Sequence, residues 1–164
     1  MSGRTAAARQ QQGQRRNVGG ARQAGSIGPN VPMEGTTVEL ASIRIITDDL
    51  ERLVGFYELV TGITATRRAP VFVEVHTGAG TLTIGTADTV EMLGAAAPTS
   101  ASNNSVLIEF LVDDVDVEFE RLRGQLDDVI LEPTTMPWGN RSTLFRDPDG
   151  NIINLFARPT ASNA

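Results

Sequence analysis

Apolar and polar residues alternate through "TVELASIRIIT", residues 37–47, which is rich in β-branched side chains and predicts a strand. The period then changes. In "DDLERLVGFYELVTG", residues 48–62, Leu50, Leu53, Val54 and Tyr57 recur at helical spacing. Asp48 or Asp49 offers an N-cap and Gly62 a stop. "ITATRR" predicts a short strand, and "VFVEVHTGAGTLTIG" a hairpin turning at Gly78 and Gly80. In that hairpin Val71, Val73 and Val75 suit a helix-covered face, which puts Phe72, Glu74 and His76 on the other. Residues 87–104, rich in Ala, Thr, Ser and Asn, read as a linker.

The pattern then restarts. "VLIEFLVDDVDVEFERLRG" is again strand, acidic cap, helix and Gly, "VILEP" is a short strand, and "RSTLFRDPDGNIINLFA" is a hairpin. Setting Asp48–Asp49 over Asp113–Asp114 gives an offset of 65, with Ser42 on Leu107 and Arg44 on Glu109. The chain therefore reads as an α+β fold of two βαβββ modules, at about 37–86 and 105–158 within a domain spanning 37–160. One helix for four strands leaves one face of each sheet free. Two such sheets side by side form an open trough, a natural ligand site. In the last hairpin Asp147, Pro148 and Gly150 are strong turn residues, and Asn154 is a polar interruption between Ile153 and Leu155.

Charge changes the picture at one end. Residues 1–33 hold five of the 14 basic residues and no acid, so the chain's net −6 leaves residues 34–164 at −11. All 14 are Arg. So acidic a body is a poor partner for phosphate backbones, and no nucleic acid is expected. Residues 1–36, without periodicity, read as a disordered basic tail, with Met33 an alternative start. There is no Cys, which excludes disulfides and thiolate metal sites. No apolar run is long enough to span a bilayer and no secretory segment is visible, so the expected location is cytoplasmic.

Three stretches, "IRIITDDLERLVGFYELVTG", "EFLVDDVDVEFERL" and "PWGNRSTLFRDPDGNIINLF", resemble the vicinal oxygen chelate superfamily of glyoxalase I, extradiol dioxygenases, and fosfomycin- and bleomycin-resistance proteins. The resemblance runs from about Val38 to Pro159. It implies a metal bound by one residue on each of four strands, usually two His, a Glu or Gln, and a final Glu. Here those positions hold Ser42, Thr83 (to within one residue of register), Leu107 and Asn154. Leu cannot ligate, and neutral hydroxyls and amides are weak ligands on their own. The resemblance, with these departures, implies a site without the family metal and without another cofactor.

Alternation places Arg44, Glu74, His76, Glu109 and Asn154 in the trough, with Trp138 and Arg141 just before the seventh strand. Arg44 and Glu109 are equally readable as a mutual ion pair, and His76 as a solvated hairpin residue. Three functions compete. The first is a small-molecule-binding protein like the bleomycin-resistance members, a homodimer taking a cationic or aromatic ligand with Trp138 as a stacking platform. The second is a lyase, isomerase or dioxygenase with a displaced metal site or none, with Glu109 or Glu74 as base and Arg44 as oxyanion partner. The third is a structural or regulatory module.

Overall fold

The computed structural model describes residues 38–159, so the expectations for the basic tail and for Met33 lie outside the described residues. The first module runs β1 (Ser42–Ile46), α1 (Leu50–Thr61), β2 (Thr66–Ala69), β3 (Phe72–His76) and β4 (Thr81–Gly85). The second runs β5 (Leu107–Leu111), α2 (Val115–Leu122), β6 (Val129–Thr135), β7 (Arg141–Arg146) and β8 (Ile152–Ala157). The sheets have orders β1-β4-β3-β2 and β5-β8-β7-β6. In each, the first strand pairs in parallel with the last and the remaining pairs are antiparallel. The duplicated βαβββ unit is thus present in topology as well as pattern.

Both helices begin as their acidic dipeptides predict. Asp49 is the cap of α1, its Oδ1 accepting from Arg52 N at 3.1 Å. Its equivalent Asp114 accepts from Asp116 N at 2.9 Å and Val117 N at 3.1 Å. Each bond satisfies a helix N–H that has no partner inside the helix. Gly62 ends α1 at φ 67, and its N–H bonds Glu58 O at 2.8 Å. That left-handed geometry is the reason for a glycine there.

Three boundaries differ from expectation. β1 starts at Ser42 rather than near residue 37. β6 continues past Pro133 to Thr135, which an edge strand permits because its outer N–H groups have no ladder partner. The 87–104 linker contains a run of 3-10 turns over Ala87–Ala96, interrupted by Gly94 at φ 54.

One core serves both modules. It joins Leu50, Leu53, Tyr57 and Val60 of α1 to Val73, Val75, Leu82 and Ile84 of the first sheet and to Ile108, Phe145, Ile153 and Leu155 of the second. Phe56 meets Phe145 edge-on at a ring separation of 6.2 Å, and Tyr57 lies 6.4 Å from Phe110. Helix α1 therefore buries apolar surface against the sheet of the other module. No helix among the described residues is long and apolar enough to cross a membrane.

Candidate functional site

Register defines the free face of each sheet. In the first, Arg44 pairs with Thr83 and Thr83 with Glu74, while Ser42 pairs with Thr81 and Thr81 with His76. In the second, Glu109 pairs with Asn154 and Asn154 with Leu144, while Leu107 pairs with Ile152. Cβ atoms directly opposite share a face, so both rows lie on the sheet sides away from the buried Val73, Val75, Ile108 and Ile153. Thr83 stands to Arg44 as Asn154 stands to Glu109.

The charged residues on these faces are held differently. Glu74 Oε2 takes Arg68 Nε at 2.6 Å and lies 3.0 Å from His76 Nε2. The Arg68 hydrogen bond and charge hold the Glu74 carboxyl below its ordinary range, against partial desolvation and with His76 in support. His76 Nδ1 is 3.2 Å from the Thr81 hydroxyl. Arg44 lies over the Phe72 ring at 4.9 Å and forms no ion pair among the described residues. The Arg44–Glu109 pair read from the sequence is therefore not formed. Glu109 Oε1 instead accepts from Asn154 Nδ2 at 2.8 Å.

The expected single constellation divides among separate places. Arg44 lines a groove of about 230 Å³ between β1, the Pro98–Asn103 segment and Asn151. Glu109 lines a second groove, about 240 Å³, with Ser42, Thr81 and Phe110, and a third of about 770 Å³ with Asp113, Asp114, Glu118 and Arg158. Thr77, Ala79, Glu109 and Phe110 are common to the second and third, so Glu109 stands at their junction.

Two candidates lie elsewhere. Arg141 shares strand parity with the buried Thr143 and Phe145, so it points to the helix side. There it grips Asp116 in the first turn of α2 through Nε at 2.9 Å and Nη2 at 2.6 Å. Trp138 occupies the turn closed by Gly139 N to Met136 O, is 70% exposed, and lines none of these three grooves.

None of the four positions that the resemblance assigns to metal ligands carries an imidazole or a carboxylate. Leu107 has no donor atom. Thr83 is buried, and its hydroxyl is committed to Ile43 O at 3.2 Å. Ser42 and Asn154 supply only neutral oxygens. Among the described residues no three His, Asp or Glu side chains converge closely enough to hold an ion.

Sequence reasoning missed a buried polar clamp at the β7–β8 turn. Asp147 accepts from Tyr57 Oη at 2.9 Å, Asn151 Nδ2 at 2.7 Å, Asn151 N at 2.8 Å and Asp149 N at 2.9 Å. Asp149, also buried, takes Arg52 Nη2 at 2.8 Å. Burial, with the Asp147 carboxylate beside it, pushes the Tyr57 phenol far above its ordinary value, so it is a fixed donor. A tyrosine on the core face of α1 was the available signal, because a buried hydroxyl requires a partner.

The sequence profile of the Glyoxalase/Bleomycin resistance protein/Dioxygenase superfamily matches residues 39–155. Among solved structures, a glyoxalase/bleomycin resistance protein/dioxygenase from Nocardioides is similar at 25% identity and a TM-score of 0.64, over 77% of this chain and 87% of that one. A glyoxalase/bleomycin resistance protein/dioxygenase family enzyme from Burkholderia phytofirmans PsJN is similar at 22% identity and 0.65, over 73% and 98%. A glyoxalase-related enzyme from Fulvimarina pelagi is similar at 20% identity and 0.63, over 77% and 94%. No curated protein matches the chain. Fold topology and the profile match agree: the chain belongs to the Glyoxalase/Bleomycin resistance protein/Dioxygenase superfamily.

Proposed function

We propose that this protein binds a small molecule without a metal, in the manner of the bleomycin-resistance members of its superfamily. One observation carries the reading: the metal positions hold Ser42, Thr83, Leu107 and Asn154, a set with neither imidazole nor carboxylate. The grooves that meet at Glu109 supply the space, and their walls mix apolar side chains with a few polar ones, as small-molecule sites do. Leu107 and Leu111, about half exposed on the free face of β5, support a homodimeric state.

The test is a thermal-shift screen of the metal-stripped protein against a broad panel of cationic, neutral and anionic aromatic compounds. A saturable rise in melting temperature with at least one compound, unchanged by chelator, is the expected result. No rise across the panel contradicts the reading.

A further inference from the structure

Glu74, His76 and Thr81 form a line of carboxylate, imidazole and hydroxyl on the free face of the first sheet. His76 lies directly opposite Thr81 in register, and Glu74 is two residues back on the same strand. Glu74 Oε2 is 3.0 Å from Nε2 of the ring, and Thr81 Oγ1 is 3.2 Å from Nδ1. An ionised carboxylate only accepts, so in the neutral ring the proton sits on Nε2 and Nδ1 keeps its lone pair. The Thr81 hydroxyl then donates to Nδ1. Arg68 Nε, 2.6 Å from the same Glu74 oxygen, fixes the carboxylate and keeps it ionised.

The line is not a product of the repeat. The matching places of the second module hold Leu144, Arg146 and Ile152, where no such relay can form. It also opens on space. Thr81 is partly exposed and lines the groove of about 240 Å³ whose apolar wall includes Leu40, Ile43, Ile108 and Phe110. Ser42, directly opposite Thr81 on β1, lines it too and brings a second hydroxyl to the same face.

We propose that Thr81 is a nucleophile for acyl transfer, with His76 its general base, and that the site takes a short apolar acyl ester with a good leaving group. Thr81 Oγ1 bonds to the carbonyl carbon while its proton passes to His76 Nδ1. Glu74 stabilises the imidazolium, which returns the proton to the leaving oxygen as the carbon–oxygen bond breaks. Water then attacks the Thr81 ester and gives its proton to Nδ1. That proton returns to Thr81 as the acid leaves. Ser42 is the hydroxyl placed to donate to the carbonyl oxygen as it gains charge. Glu74 and Arg68 are positioning residues, since neither meets the ester. Such a constellation is recognised by distances and roles, not by its order in the sequence. The inference goes beyond the metal-free binding reading and does not depend on it.

Hydrolysis of p-nitrophenyl butyrate by the full chain tests it. Nitrophenolate release is expected to saturate with ester, and acid-quenched protein to carry the butyryl group on Thr81 by peptide mass spectrometry. Thr81→Val, similar in shape, should lose both, while Thr81→Ser keeps them. His76→Ala should slow release by about a hundredfold, within the range of general-base catalysis. Glu74→Gln should lower kcat by about tenfold with KM unchanged, a split that a merely structural role would not produce. Unchanged melting curves exclude unfolding as the cause. Three results each overturn the site: release no faster than in buffer, release preserved in Thr81→Val (the imidazole attacking the ester itself), or no butyryl group on Thr81. None of them touches the binding reading, whose own test is the compound panel.

Discussion

Tyr57 Oη donates to Asp147 Oδ2 at 2.9 Å, joining the helix of the first module to the β7–β8 turn of the second across 90 positions of sequence. The bond is buried, one partner is a carboxylate, and the same turn holds Arg52 through Asp149. Hydrogen bonds to charged groups contribute more than neutral ones, and removing one partner leaves the other desolvated. Tyr57→Phe is therefore expected to lower the unfolding free energy by about 1.5–3 kcal/mol, read from urea denaturation. Because the clamp joins modules that share one core, unfolding should remain a single transition.

Gly62 sits at φ 67 with open space around the position where a Cβ would stand. The penalty of a side chain there is backbone strain alone. Gly62→Ala should destabilise by about 1 kcal/mol, and Gly62→Asn by less, since Asn tolerates the left-handed region. Denaturation midpoints check the order.

Acid should weaken the fold in a defined direction. Arg68 holds Glu74 below its ordinary 4.5, and Arg141 holds Asp116 below its ordinary 3.8. A carboxylate with a depressed folded-state pKa stabilises the fold above its unfolded pKa, and that contribution is lost as pH falls through the folded value. Arg68→Gln and Arg141→Gln should each reduce the stability lost between about pH 6 and pH 3, with little effect on its course above pH 6. The change is expected to be small, because both pairs face solvent. Denaturation across that range measures it.

Trp138, the single tryptophan, is 70% exposed. Its emission should be solvent-like and open to iodide quenching, and Trp138→Phe should leave the unfolding midpoint nearly unchanged. Ligands bound at Glu109 should leave Trp138 emission unaltered. A ligand-protected Trp138 would instead support a stacking role for its ring.

The duplicated modules, the helix caps and the free faces were legible because each follows from a local rule: period, cap chemistry and alternation. Alternation on β3 placed Glu74 and His76 on one face with no further information. What it does not convey is which faces share a groove, so Arg44 and Glu109, equivalent by repeat, read as one site although they line different grooves. Arg141 reads as lying just before the seventh strand, which in fact begins with it, because the strand start, and hence its parity, is undefined in a Gly-Asn-Arg turn. The clamp of Tyr57 and Asp147 depends on a contact between modules, which no local pattern encodes. Thr83 and Asn154 look alike as polar strand residues. Only the three-dimensional arrangement separates the one whose hydroxyl donates to a carbonyl from the one whose buried oxygen has no partner.

The proposed function requires a chain that holds no metal at all. The direct measurement is metal content: the untagged protein is incubated separately with Mn, Fe, Co, Ni and Zn, desalted and assayed by mass spectrometry for metal per chain. Well under a tenth of an equivalent for every metal is the predicted result, because Ser42, Thr83, Leu107 and Asn154 offer no imidazole or carboxylate. Close to one equivalent of any of them, lost on Glu109→Gln or His76→Ala, would contradict it and make the protein a metal-binding member with a relocated site.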